Sequence, residues 1–157
     1  MSVEIDPPAR LGETEVRGGR LIGWAEWGPP DGTPVLLIPG AATSRWLGVR
    51  AGAAESLGVR LVSIDRPGLG VSTPLPGLTF ADLVTDLDVF THARGFPRPP
   101  VLANSQGGPF ALARAAETIA SGADKIASPR WSIWRVPIPR EPKPCSGSST
   151  PRRCGGW

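Results

Sequence analysis

Ser105 stands in the run Val101–Phe110, VLANSQGGPF, where three apolar residues give way to Asn-Ser-Gln, a glycine pair and a Pro-Phe that opens an alanine-rich stretch. Two places before and after it are small residues, Ala103 and Gly107. A serine that works as a nucleophile sits on a sharp, strained strand-to-helix turn, where bulkier side chains at those two places would collide with their surroundings. Small-x-Ser-x-Gly between a strand-like run and a helix-like run meets that need and makes Ser105 a candidate nucleophile for acyl transfer. Alanine in the first small position satisfies the steric demand less comfortably than glycine.

Attack on a carbonyl also needs donors aimed at the oxygen that becomes negative, and backbone N–H groups at permissive turns supply them. Pro39-Gly40-Ala41-Ala42 follows the apolar run Val35–Ile38. The Ala41 N–H is therefore expected as one donor of an oxyanion hole, with Gly40 allowing the turn, and the N–H of Gln106, directly after the serine, as the other. The competing reading of Gly40-Ala41 is an ordinary strand-end turn.

The elements that would position these residues are legible from periodicity. Residues 20–27, RLIGWAEW, alternate loosely and meet the turn cluster GPPDGTP, which predicts an antiparallel strand and a tight turn. VLLIPG (35–40) is a continuous apolar run ending in Gly, which suits a strand buried on both faces, and RLVSID (60–65) reads as another buried strand, broken by RPGLG. Apolar residues from Trp46 to Leu57 fall at helical spacing and Gly58 suits a helix end. Thr79 is placed to cap a helix that carries Asp82 in its first turn, Leu83, Leu87 and Phe90 on one face, and Gly95 at its end. A strand over 101–103 and a helix from about Gln106 to Ala120 complete the series. Strands of the buried type alternating with helices predict an α/β protein on a mostly parallel sheet.

With those residues in place, VLLIPGAA, SIDRPGLGVS and VLANSQGGPFALA together resemble the α/β-hydrolase fold family of the serine-nucleophile type, in order and in spacing. The resemblance covers roughly residues 18–118, the N-terminal half of such a domain. Asp65 to Ser72 is similar to the D-x-x-G-x-G-x-S loop found after a core strand in many members, and is read as structure rather than chemistry. What the resemblance implies is hydrolysis of an ester, amide or similar carbonyl in a small-molecule substrate, without cofactor or metal. It leaves the substrate open, because the fold hosts many chemistries.

In that family the acid and then the histidine follow the serine along the chain. Here only Glu117, Asp124 and Glu141 follow as acids, and no histidine does. The single histidine, His92, lies four residues from Asp88 on the helix side opposite Leu83, Leu87 and Phe90, and reads as a surface residue rather than as the base. The expectation is a truncated, catalytically incomplete domain. The alternative is a non-catalytic binding or regulatory fragment that pairs, as a homo-oligomer or with a longer relative, through the open edge strand Val101–Ala103.

Charge divides the chain at the same point. Residues 1–120 hold ten basic and twelve acidic side chains, whereas residues 121–157 hold seven basic and two acidic. Residues 129–157 contain six Pro, five Arg and three Trp and keep no period, which is also what GC-rich codons read out of frame would give. The expected organisation is an N-terminal extension over 1–19, the half-domain over 20–120 and an irregular, disordered tail over 121–157. A basic, Trp-containing tail could touch anionic membranes or nucleic acid, but composition alone favours neither, and no nucleic-acid or membrane partner is expected. MSVEIDPPAR lacks the pattern of a secretory leader, and Cys145 and Cys154 read as incidental thiols, so a cytoplasmic protein is expected.

Overall fold

A computed structural model describes residues 6–50 and 52–120, and the tail expected over 121–157 lies outside the described residues. Five strands form one sheet: β1 (Arg10–Glu15), β2 (Leu21–Trp27), β3 (Thr33–Ile38), β4 (Val59–Ile64) and β5 (Val101–Ala103), in the order β1-β2-β4-β3-β5. The helices are α1 (Ala53–Ser56), α2 (Phe80–Ala93) and α3 (Gly107–Ala120). β4, β3 and β5 run parallel, while β2 is antiparallel to both β1 and β4.

Both faces of the sheet are covered, which is why VLLI is apolar without a break and why Leu61, Val62 and Ile64 of β4 are all buried. Ile22, Trp24, Leu36, Ile38, Val62 and Ile64 point to the side where α2 contributes Leu83, Leu87 and Phe90 and α3 contributes Ala111. Their alternates Ala25, Trp27, Leu37 and Leu61 point to the other side, against Ala54 of α1 and the partly buried Leu47 and Val49.

α2 follows its sequence signals closely. The Thr79 side chain accepts from the Asp82 N–H, and the Asp82 carboxylate accepts from the Thr79 N–H, a reciprocal cap. Gly95, with φ +77°, ends the turn by donating to the His92 carbonyl. The helix is tied to the start of β2 by a two-pronged ion pair, Arg20 to the buried Asp86, at 2.6 Å for each bond.

Two expectations are corrected. The sheet begins at Arg10, not at residue 20: β1 lies antiparallel along β2, so this part of the supposed extension belongs to the domain. Gly12 faces Trp24 in the register and makes room for the indole, whose N–H donates to Thr14 Oγ1 at 3.0 Å. The helix expected from Trp46 to Gly58 shrinks to the single turn α1. Gly52 stands left-handed at φ +69° directly before it, so Leu47 and Val49 reach the core from a loop, and Leu57 is left exposed.

Candidate active site

The parallel strands β3, β4 and β5 end side by side, and the loops that leave their C-terminal ends meet there, where α/β sheets hold their ligands. Asn104 makes the last sheet bond of β5, its N–H donating to the Ile38 carbonyl at 3.1 Å. Ser105 comes next, with φ +47°, a left-handed backbone that a residue with a Cβ occupies only under constraint. The Gly107 N–H then donates to the Asn104 carbonyl at 2.8 Å and the Gly108 N–H to the Ser105 carbonyl at 2.9 Å, and the chain turns into α3. Ser105 is solvent-exposed on this elbow.

Two glycines allow the approach. A Cβ on Gly107 would overlap the Ile38 carbonyl oxygen and stand 2.9 Å from its carbon, so the first turn of α3 rests directly on the end of β3. A Cβ on Gly40 would stand 2.9 Å from Asn104 O, Asn104 Oδ1 and Ser105 Cβ alike. The loop after β3 therefore lies against the serine.

That loop turns through Ala41 and Ala42, the latter at φ +51°. Neither the Ala41 N–H nor the Gln106 N–H is used by an acceptor among the described residues, and both residues are exposed beside the elbow. The structure thus brings together the three residues singled out from the sequence, Ser105, Ala41 and Gln106.

The loop after β4 is a clamp. Asp65 is buried and its carboxylate accepts from the Arg45 N–H at 2.6 Å, from Arg45 Nη1 at 3.2 Å and from the Val71 N–H at 3.1 Å. Ser72 Oγ donates to the Asp65 carbonyl at 2.7 Å and accepts from the Gly23 N–H at 2.9 Å. This agrees with reading the Asp65–Ser72 loop as structural. Sequence reasoning missed its neighbour Arg66, whose Nη2 donates to the Gly40 carbonyl at 2.9 Å while its guanidinium lies over the Phe110 ring.

His92 stays away from this cluster. It is exposed on α2 and lines an open groove of about 630 Å³ with Asp88, Thr91, Pro97 and Arg98, none of which belongs to the loops around Ser105. Asp88 pairs instead with Arg114 of α3 at 2.9 Å. Among the described residues no group of three or more His, Cys, Asp or Glu could hold a metal ion, and no helix is long and apolar enough to cross a membrane.

Residues 35–155 match the family described as the alpha/beta hydrolase family, and the chain belongs to it. The match begins at β3 and runs on through most of the segment beyond α3. Among solved structures the chain is similar to an epoxide hydrolase from an endophytic Streptomyces, at 25% identity and TM-score 0.60, covering 73% of this chain and 35% of that one. It is also similar to an epoxide hydrolase from Vigna radiata, at 22% identity and TM-score 0.59, covering 70% and 36%. A third, an alpha/beta hydrolase from Sphaerobacter thermophilus, is 28% identical with TM-score 0.55, covering 68% and 40%. The chain thus spans about 35–40% of the length of these structures. No protein of curated function matches the sequence.

Proposed function

We propose that this chain carries the nucleophile and the oxyanion hole of a serine hydrolase that acts on an ester, amide or similar carbonyl. The observation that supports the reading best is Ser105 itself: a non-glycine residue at φ +47°, exposed on the strand-to-helix elbow beside two backbone N–H groups that no acceptor among the described residues uses. In the proposed reaction Ser105 Oγ attacks the carbonyl carbon while its proton passes to a base. The oxygen that becomes negative is held by the N–H groups of Ala41 and Gln106. Collapse expels the alcohol or amine and leaves an acyl-serine, which water then hydrolyses.

No histidine follows Ser105 in the sequence, and His92 lines a separate groove. The proposal therefore takes the base and its acid partner from a complementary part of an α/β-hydrolase domain, in a cytoplasmic setting. The test is a fluorophosphonate reagent followed by peptide mass spectrometry. Modification confined to Ser105, slow in this chain alone and lost in Ser105→Ala, is expected. An unreactive Ser105 together with modification at other serines would sink the reading.

A second reading is favoured by β5, a three-residue strand at the edge of the sheet among the described residues, whose Leu102 is 49% exposed. Such an edge offers unpaired N–H and C=O groups to another chain. In this reading the protein is a binding or regulatory fragment that pairs there, and Ser105→Ala leaves it unaffected. Sedimentation of wild type and Leu102→Lys decides the matter: association lost in Leu102→Lys supports edge pairing, and a monomer in both rejects it.

A further inference from the structure

We infer that Arg66 is a positioning residue for the oxyanion hole, setting the direction of the Ala41 N–H through the peptide plane that Ala41 shares with Gly40. The inference rests on the serine-hydrolase reading for its purpose, though its geometry stands on its own.

A peptide unit is a rigid plane, and in its trans form the carbonyl and the following N–H point in opposite directions. No cis peptide occurs among the described residues, so fixing the Gly40 carbonyl fixes the Ala41 N–H. Two donors hold that carbonyl, Arg66 Nη2 at 2.9 Å and Thr43 Oγ1 at 3.0 Å. Thr43 belongs to the same turn and moves with it. Arg66 comes from the loop after β4 and ties the turn to the rest of the sheet.

The guanidinium is anchored at its other side. It lies 5.4 Å from the centroid of Phe110, in the first turn of α3, the helix that starts two residues after the nucleophile. Phe110 in turn meets Phe80 at the start of α2 edge-on, with centroids 4.9 Å apart. One side chain thus connects the loop that bears Ala41 with the helix that follows Gln106, and sets the two donors of the hole relative to each other. Arg66 Nε is buried without a hydrogen-bond partner among the described residues, a cost that an arginine serving only as a surface charge would not carry.

Amide NMR of the full, 15N-labelled chain tests this without requiring turnover. Arg66→Met should shift the Ala41 amide and speed its hydrogen exchange, while the Gln106 amide stays in place. Arg66→Lys, which keeps one donor, should restore part of the shift, and Thr43→Val should move it the same way by less. Labelling of Ser105 by the fluorophosphonate should slow by roughly 10- to 100-fold in Arg66→Met. An unmoved Ala41 amide in Arg66→Met overturns the inference, and so does an equal disturbance of Gln106, which would mean general loosening. If Arg66→Met does not fold, Arg66→Gln, whose shorter side chain cannot reach the Gly40 carbonyl from the β4 loop, decides by the same two amides. If wild-type Ser105 proves inert, the hydrolase reading fails while the Ala41 amide still tests the role of Arg66.

Discussion

A Cβ placed on Gly40 would stand 2.9 Å from the Cβ of Ser105, so these two residues, 65 positions apart, are in contact only because one of them has no side chain. The same added atom would meet Asn104 O and Oδ1 at 2.9 Å. Gly40→Ala must therefore push the β3 loop off the elbow. The expected cost is about 1–3 kcal/mol, as for other atoms forced into a filled site. The reaction of Ser105 with a fluorophosphonate should slow as well, because the Ala41 N–H moves with the loop. Urea unfolding and the labelling rate check both parts, and an unchanged rate would show that the two loops act independently.

The neighbouring glycines Gly107 and Gly108 should answer alanine in different ways. A Cβ on Gly107 overlaps the Ile38 carbonyl oxygen and approaches the Pro39 oxygen at 3.0 Å, backbone that cannot swing aside. Gly107→Ala should cost about 3 kcal/mol or more, or prevent folding. Among the described residues nothing lies within 4 Å of a Cβ on Gly108, and the helical gain of alanine over glycine is offset by the penalty on a side chain before Pro109. Gly108→Ala should consequently stay within about 0.5 kcal/mol of wild type. Equal unfolding midpoints for the two variants would contradict the packing of α3 on β3.

What can be read from sequence follows from the range of the interactions involved. The β2, β3, β4 and β5 runs and the Thr79 cap carry their signals within a few residues, and the structure reproduces them. β1 escapes a reading by pattern because RLGETE has one apolar side chain, and the reason it forms a strand lies across the sheet in Trp24, which needs Gly12 opposite it. α1 is shorter than its pattern because Gly52, with its left-handed backbone, breaks the apolar spacing that runs from Trp46 to Leu57. At the site, the elbow and the Gly40 turn are legible as strand-end motifs. Arg66 is not, since an arginine after a strand resembles any solvated charge until the Gly40 carbonyl is seen beneath it.

Glu26 predicts how the fold responds to acid. Burial alone would raise its carboxyl, but hydrogen bonds from Arg60, Arg10 and Arg94 outweigh burial and leave it below the ordinary 4.5. Arg60 Nη2 is 2.6 Å away and Arg10 Nε 2.7 Å, and Arg94 also stacks on Trp24. Since the folded value is the lower one, the unfolded chain takes up the proton first. The stabilisation is fully present above about pH 5 and is lost as pH falls through 4.5 toward the folded value. Glu26→Gln should cost about 3 kcal/mol at neutral pH by leaving three arginines around an uncharged group. Unfolding followed down to about pH 3 should show the gap to wild type narrowing. A gap that stays constant would mean that the carboxylate charge contributes nothing.

Ser105 offers the sharpest separation of stability from chemistry. Its left-handed φ of +47° costs a residue with a Cβ about 1–2 kcal/mol, a cost glycine does not incur. Ser105→Gly and Ser105→Ala both remove the hydroxyl, so both should abolish labelling at this position. Only the glycine variant relieves the backbone, although its unfolded chain gains freedom that offsets part of the benefit. Ser105→Gly is thus expected to unfold at higher urea than Ser105→Ala, by about 1 kcal/mol. Because the side chain is exposed, Ser105→Ala should match wild type. That ordering, glycine above alanine and serine, is what a residue held in a strained conformation for the sake of its hydroxyl must give. Were alanine the most stable of the three, the elbow would not be strained, and the placement of Ser105 as a nucleophile would lose its physical basis.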